Sequence, residues 1–216
     1  MPFILRSKIS EGTLLGVWQI TETEETLLPA LALTPEDRAR LGDIRNEVRR
    51  LQWLACRVAL RQLVPDPKAR VEYSEAGQPL LVPATSGISF SHTGDLAAVL
   101  VSEGRRPGID IELLRDRIHR VAERFMSEEE SARTSPPCLL EKRYIHWAAK
   151  EAVYKLYGGG LDIQNEIILN PFDYLCTGIG TVRATVRTES AVREHPLHYL
   201  VTGGWVLAYG LDPPTE

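Results

Sequence analysis

The sequence predicts an α+β fold in two lobes, on three observations. Two long segments, about residues 46–64 and 139–157, carry helical spacing of apolar residues. Short β-branched and aromatic runs separated by turn residues follow each of them. A turn at Gly104–Pro107 falls between these two helix-then-strand halves and divides the chain into lobes of residues 1–106 and 107–216. No residue-level repeat joins the halves; the likeness is one of element order.

The elements follow from local chemistry. Leu14–Ile20 (LLGVWQI) reads as a strand. Thr34-Pro35-Glu36-Asp37 is a helix start, with a capping hydroxyl, a proline suited to the first turn and two acids at the positive end of the dipole. The helix from about Asn46 to Val64 carries Leu51, Leu54, Ala55, Val58 and Leu63, and Pro65 and Pro67 end it. Gly77-Gln78-Pro79 is a turn. Gly87–Phe90 and Leu96–Ser102 read as strands around a polar link, Ser91–Asp95. Gly108–Glu112 alternates strictly and reads as a further strand. Ser127-x-x-Glu130 has the form of a capping box. Ser135-Pro136-Pro137 breaks the chain before the helix Leu139–Tyr157, which Gly158-Gly159-Gly160 stops. Val182–Val186, His198–Thr202 and Trp205–Tyr209 are late strands.

Composition narrows the function classes. In 216 residues, 25 Lys and Arg face 29 Asp and Glu, a net charge of −4. The 44% hydrophobic and 25% charged content is that of a globular chain and excludes disorder, collagen and coiled coil. A general nucleic-acid binder needs a basic face, which an acidic chain does not suggest. No apolar run approaches the roughly 20 residues of a membrane span. Cys56, Cys138 and Cys176 are odd in number and far apart, without zinc-type spacing, so reduced thiols and a cytoplasmic protein are expected. Met1–Ser10 holds only a short apolar patch and reads as too short for a secretory signal.

Four groups of residues can carry chemistry. Asp110 and Glu112 are two apart in a strand, so their carboxylates share one face, with Cα atoms roughly 6.5–7 Å apart. Such a pair suits a hard cation such as Mg²⁺, or is simply the solvated face of a half-buried strand. Glu151 and Lys155 lie four apart on the second helix and share a face. They are either a surface ion pair or a metal ligand or base beside a phosphate contact. Ser91 and His92 end a strand, where they form an ordinary polar turn, a phosphate site or the start of a nucleophilic pair. No Gly-x-Ser-x-Gly elbow supports the last. Arg50, Arg57 and Arg61 recur at seven and four and can share a face fit for phosphate.

The order of these pieces is more specific than any one of them. Phe90-Ser91-His92-Thr93-Gly94, Gly108-Ile109-Asp110-Ile111-Glu112, Phe125-Met126-Ser127-Glu128-Glu129-Glu130 and Trp147-Ala148-Ala149-Lys150-Glu151-Ala152-Val153-Tyr154-Lys155 follow one another. This series resembles the 4′-phosphopantetheinyl transferase superfamily, in its long two-lobed, surfactin-synthetase-activating branch. The resemblance is strongest from Gly77 to Gly160. Thr34–Val64 matches in layout only, and the last fifty residues mainly as late strands.

The resemblance implies two similar α+β lobes related by a pseudo-twofold, each a long helix on a small antiparallel sheet, with the active site in the cleft. It implies transfer of the phosphopantetheine arm of coenzyme A to a serine of an acyl or peptidyl carrier protein, releasing adenosine 3′,5′-bisphosphate. Asp110, Glu112 and Glu151 would hold Mg²⁺, or Mn²⁺ by the same oxygens. Glu151 would also be the base, directly or through a water on the cation. Lys155 would contact the pyrophosphate and stabilise its developing charge, with Asp110 beside it as a catalytic residue; Asp110 and Lys150 would be among the coenzyme A-binding residues, and Ser91 and His92 would hold coenzyme A phosphates. Arg40 would reach the 3′-phosphate, with Arg50 and Arg57 as weaker candidates. Many relatives carry Gly-Lys-Pro where this chain has Gly77-Gln78-Pro79, so Gln78 and Pro79 would meet the adenylate end without the lysine's charge. A monomer is expected, since one chain supplies both halves of the site. The alternatives are a protein that binds coenzyme A or the carrier without turnover, and a metal-dependent nuclease.

Overall fold

The computed structural model describes residues 3–174, 176 and 178–213. In chain order its elements are β1 (Phe3–Ser10), β2 (Thr13–Gln19), α1 (Glu24–Leu27), α2 (Pro35–Asp43), α3 (Glu47–Leu63), β3 (Arg70–Tyr73), β4 (Pro79–Val82), β5 (Gly87–Thr93), β6 (Leu96–Ser102) and β7 (Pro107–Leu113). There follow α4 (Ile118–Val121), α5 (Glu128–Arg133), α6 (Leu139–Tyr157), β8 (Ile167–Leu169), β9 (Ile179–Arg187), β10 (Val192–Val201) and β11 (Trp205–Leu211).

The strands form an antiparallel sheet β1-β2-β6-β5, a second antiparallel sheet β7-β11-β10-β9-β8, and a separate β3-β4 hairpin. The α+β class is as expected. Helix α3 packs its Leu54, Ala55 and Val58 on Ala97, Val99 and Val101 of β6. Helix α6 packs on the second sheet through Ile145, Ala149 and Val153, against Val206 and Ala208. The faces away from the helices meet each other, with Leu96, Ala98 and Leu100 of β6 among Ile109, Ile111 and Leu207. Strand β6 is therefore covered on both sides, which is why its sequence is a continuous apolar run rather than an alternation.

The helix ends obey their capping residues. Thr34 and Asp37 form a capping box on α2, as do Ser127 and Glu130 on α5. Asn46 caps α3 by accepting the Arg49 N–H. Gly158, at φ +83°, ends α6, its N–H reaching the Lys155 carbonyl. Among the described residues no helix is long and apolar enough to cross a membrane.

Several local expectations are corrected. The first strand, β1, was hidden because its alternating partner face is polar. Both β3–β4 and β8 are too short to show periodicity. Strand β5 continues through Ser91, His92 and Thr93, so only Gly94 and Asp95 remain as the turn to β6. The cysteines are not three separate thiols. Cys138, just before α6, is bonded to Cys176, with Cα atoms 6.2 Å apart. The chain after α6 returns to the start of that helix, and a separation of 38 residues concealed the pairing. Cys56, within α3, stays free, and burial pushes its thiol up to about 12.

Lys150 anchors α6 in the interior. Its three ammonium hydrogens go to the Phe125 carbonyl (2.7 Å), Glu130 Oε2 (2.8 Å) and the Ile163 carbonyl (3.1 Å). Glu130 is buried too, and accepts the Leu169 N–H at 2.7 Å. Burial opposes its charge, but His146 and the Lys150 ammonium outweigh it and hold the carboxyl at about 2. Lys150→Met takes the cation from this buried carboxylate, and is expected to cost about 3–5 kcal/mol of stability. The measurement is urea denaturation of the variant beside the native chain.

Candidate functional site

The site lies where the two sheets meet edge to edge. Strands β5 and β7 share no backbone ladder. Alternate side chains of β5 join them instead, because residues two apart in a strand face the same way. Ser89 Oγ accepts the Ile109 N–H, and Ser91 Oγ accepts the Ile111 N–H, both at 3.2 Å. The Ser91 hydroxyl donates to Asp110 Oδ1 at 2.7 Å, and the Thr93 hydroxyl donates to Glu112 Oε2 at 3.3 Å. Ser91 thus has its hydroxyl committed to the seam.

Helix α6 closes over the acidic face of β7. Any side chain at Gly108 would overlap the Ala152 carbonyl oxygen, so glycine is what allows the helix to approach. Ile109 and Ile111 face the inter-sheet core, as the alternation requires. Asp110 and Glu112 share the opposite face, but helix α6 covers it; Asp110 is only 5% exposed. This corrects the reading of a solvated acidic face. Alternation fixes which residues share a side and says nothing about what packs there.

Each carboxylate is held differently. Asp110 Oδ1 accepts from Ser91 and from the Lys155 ammonium at 2.7 Å, while its buried Oδ2 has no partner. Glu112 accepts the Trp147 indole N–H at 3.0 Å. Lys155 also donates to the Ile109 carbonyl at 2.9 Å. Its ion-pair partner is Asp110 and not Glu151, so the pairing at four residues along the helix is not made. Burial and the neighbouring Asp110 charge push the Glu151 carboxyl up to about 7, against the pull of Lys155. Burial and Asp110 also raise Glu112, opposed by Trp147.

Among the described residues no three His, Cys, Asp or Glu side chains are gathered closely enough to form a ready metal site. The donor set nevertheless fits a hard divalent cation. The donors are carboxylate oxygens, the buried Asp110 Oδ2 is unpartnered, and the Asp110 charge raises the pKa values of both Glu112 and Glu151.

A cavity of about 560 Å³ opens beside Lys155, between α3, the β3–β4 hairpin, β5 and the end of α6. Arg57 and Trp53 form part of its wall. The Arg57 guanidinium lies 3.2 Å from the Trp53 ring centre and donates to the Tyr73 hydroxyl at 2.6 Å. Arg57 Nε and Trp53 Nε1 are buried donors without partners. His92 faces the same cavity, 3.4 Å from Arg49 Nη1. Burial and then Arg49 keep its imidazole below the usual value.

The structure brings together most of the residues singled out from sequence. Asp110, Glu112, Glu151 and Lys155 converge at the seam, and His92, Gln78 and Pro79 line the adjoining cavity. Three predicted residues stand elsewhere. Lys150 points into the core with every donor used. Arg40 is exposed behind Tyr73, its guanidinium 4.0 Å from that ring, and does not line the cavity. Arg50 is paired with Glu24 and donates to the Leu41 carbonyl at 2.7 Å. Sequence reasoning named Trp147 as part of the motif and did not find its bond to Glu112. The signal was its spacing, four residues before Glu151 on the same helix face. It also passed over Trp53, four residues before Arg57.

Comparison with known proteins identifies the family. Residues 106–209 match the model of the family described as the 4′-phosphopantetheinyl transferase superfamily. The chain is 31% identical over 169 residues to the 4′-phosphopantetheinyl transferase HetI of Nostoc sp., covering 70% of this chain and 71% of that protein. It is 35% identical over 117 residues to the 4′-phosphopantetheinyl transferase AcpT of Escherichia coli O157:H7, covering 51% of this chain and 60% of that protein. Over 195 residues it is 26% identical to the L-aminoadipate-semialdehyde dehydrogenase-phosphopantetheinyl transferase of Rattus norvegicus, covering 80% of this chain and 63% of that protein. The match to AcpT thus spans less than two thirds of that relative's length. With the acids of β7, the Glu151–Lys155 helix and the flanking cavity in one place, the chain belongs to the 4′-phosphopantetheinyl transferase superfamily.

Proposed function

We propose that this protein transfers the 4′-phosphopantetheine arm of coenzyme A to a serine hydroxyl of an acyl or peptidyl carrier protein, releasing adenosine 3′,5′-bisphosphate. The observation that carries the reading is Asp110, Glu112, Glu151 and Lys155 meeting beside a cavity with a buried guanidinium in its wall. The serine oxygen bonds to the phosphorus next to the pantetheine, and the bond from that phosphorus to the bridging pyrophosphate oxygen breaks. The leaving bisphosphate keeps the electron pair.

Asp110, Glu112 and Glu151 would hold Mg²⁺, and the same oxygens suit Mn²⁺. When bound, the cation draws negative charge from the pyrophosphate. Lys155 stands between the acids and the cavity, where its ammonium meets the charge that develops on the leaving oxygen. Glu151 takes the serine proton; a carboxyl at about 7 is matched to that task near neutral pH. Arg57 and the rings of Trp53 and Tyr73 offer a fork and flat faces to the nucleotide end of coenzyme A. Lobe 1–106 then supplies most coenzyme A contacts and lobe 107–216 the acids. One chain carries both halves, so we assign a monomer.

Intact-mass analysis of an apo carrier protein tests the proposal directly. With coenzyme A and Mg²⁺ the carrier is expected to gain about 340 Da, and Glu151→Ala or a chelator should abolish the gain. Coenzyme A binding with no gain on any carrier would select a non-catalytic binding protein instead.

The Glu151 carboxyl gives a second test. Its folded value of about 7 lies above its ordinary 4.5. Its protonated form therefore favours the fold, and this contribution fades as the pH rises from about 4.5 through about 7. A divalent cation offsets the repulsion only when Glu151 is ionised. Mg²⁺ is expected to raise Tm more at pH 8 than at pH 6, and Glu151→Gln to remove the difference. Equal shifts at both pH values in the native chain would count against Glu151 as a ligand.

Carrier proteins are usually acidic, and Arg117, Arg120 and Arg124 are exposed just beyond β7. Changing them to glutamate should raise KM for the carrier and leave KM for coenzyme A unchanged. Equal effects on both would remove them as the docking face.

A further inference from the structure

The β3–β4 hairpin forms one wall of the cavity, yet it is a two-stranded sheet of its own. Two side-chain hydrogen bonds tie it to the helices on either side. The Tyr73 hydroxyl accepts from Arg57 of α3 at 2.6 Å. At the same, turn end of the hairpin, Gln78 Nε2 donates to the Lys155 carbonyl of α6 at 3.1 Å. The turn that carries Gln78 is closed on itself. Ser74 N–H reaches the Gln78 carbonyl at 2.9 Å, and Gln78 N–H reaches Ser74 Oγ at 3.1 Å. The side-chain amide is left to span the gap.

The receiving end is shaped for it. The Lys155 carbonyl lies in the last turn of α6, where no later helical N–H is available at four residues. Gly158 N–H reaches it at 3.2 Å, and Gln78 is its second donor. A side chain at Gly158 would begin 2.5 Å from Gln78 Oε1, so the glycine both turns the helix off and leaves room for the amide. Lys155 is thus gripped at two points. Its carbonyl is held by Gln78, and its ammonium is held by Asp110 and the Ile109 carbonyl.

We propose that Gln78 is a positioning residue: by capping the Lys155 carbonyl it fixes the last turn of α6, and with it the Lys155 ammonium, instead of binding the nucleotide. This rests on the transferase reading for its kinetic consequence, but its structural consequence does not. The amide is an uncharged donor, and a donor is all that the carbonyl requires.

Gln78→Met keeps the length of the side chain and removes the donor; Gln78→Lys keeps a donor. In the ligand-free protein, amide hydrogen exchange of Gly158 and Gly159 should be about five- to tenfold faster in Gln78→Met, the loss of one net hydrogen bond. It should stay near the native rate in Gln78→Lys. With coenzyme A and carrier, Gln78→Met should lower kcat by a similar factor with KM for coenzyme A within about twofold of native, and Gln78→Lys should retain kcat. A raised KM for coenzyme A at native kcat would make Gln78 a direct ligand and overturn the proposal. Native exchange rates in Gln78→Met would overturn it as well. If the native chain transfers nothing, the transferase reading fails by itself and the exchange rates still decide the role of Gln78. Melting curves of both variants establish that each is folded.

Discussion

The site depends on a seam that has no backbone ladder. Strands β5 and β7 are edges of different sheets, and edge strands present unpaired N–H groups that must go somewhere. Here Ser89 and Ser91 accept two of those of β7. A serine oxygen that accepts from the backbone still has a proton to give, and Ser91 gives it to Asp110. One side chain thus joins the sheets and orients a carboxylate. A continuous ladder would have joined the sheets as well, but it would have left no hydroxyl to hold the acid.

Helix α6 must then meet that acid in one rotation about its own axis. Successive helical residues point about 100° apart. Lys150 is fixed inward by three buried partners, so Glu151 is swung toward β7, and Lys155 lies one turn beyond it. Gly108 sets the distance and Lys150 sets the angle. Neither residue lines the cavity beside Lys155, and both decide what faces it.

This division of labour explains what was legible in the sequence. Helices α3 and α6 announced themselves by caps, periodicity and stop signals, all of them local. The Asp110–Glu112 pair was visible because strand alternation is local too. What the sequence could not supply was the covering of a face. A solvated acidic strand and a buried one have the same alternation, and only α6 distinguishes them. Lys150 and Lys155 are the same residue type on one helix. One became a core anchor and the other a site residue because Glu130 and Asp110, distant in sequence, lie on different sides of that helix. The Cys138–Cys176 bond escaped for the same reason: it depends on where a loop returns. Family resemblance gave Lys155 its place by the acids and counted Lys150 among the ligand-binding residues, where the structure makes it a core anchor.

The three carboxylates also differ in freedom, and that ordering assigns their work. Glu112 is held at both oxygens, by Trp147 and Thr93. Asp110 is held at one oxygen, by Ser91 and Lys155, and its other oxygen is buried without a partner. Among the described residues no side-chain hydrogen bond reaches Glu151, and burial and Asp110 bring it to about 7. Glu112, accepting one bond at each oxygen, is the most fixed of the three and keeps free lone pairs for a cation. A group tied at one oxygen can offer the other to a cation. A group tied at neither is the most free to take up a proton and release it without disturbing the seam, which is what supports the base role proposed for Glu151.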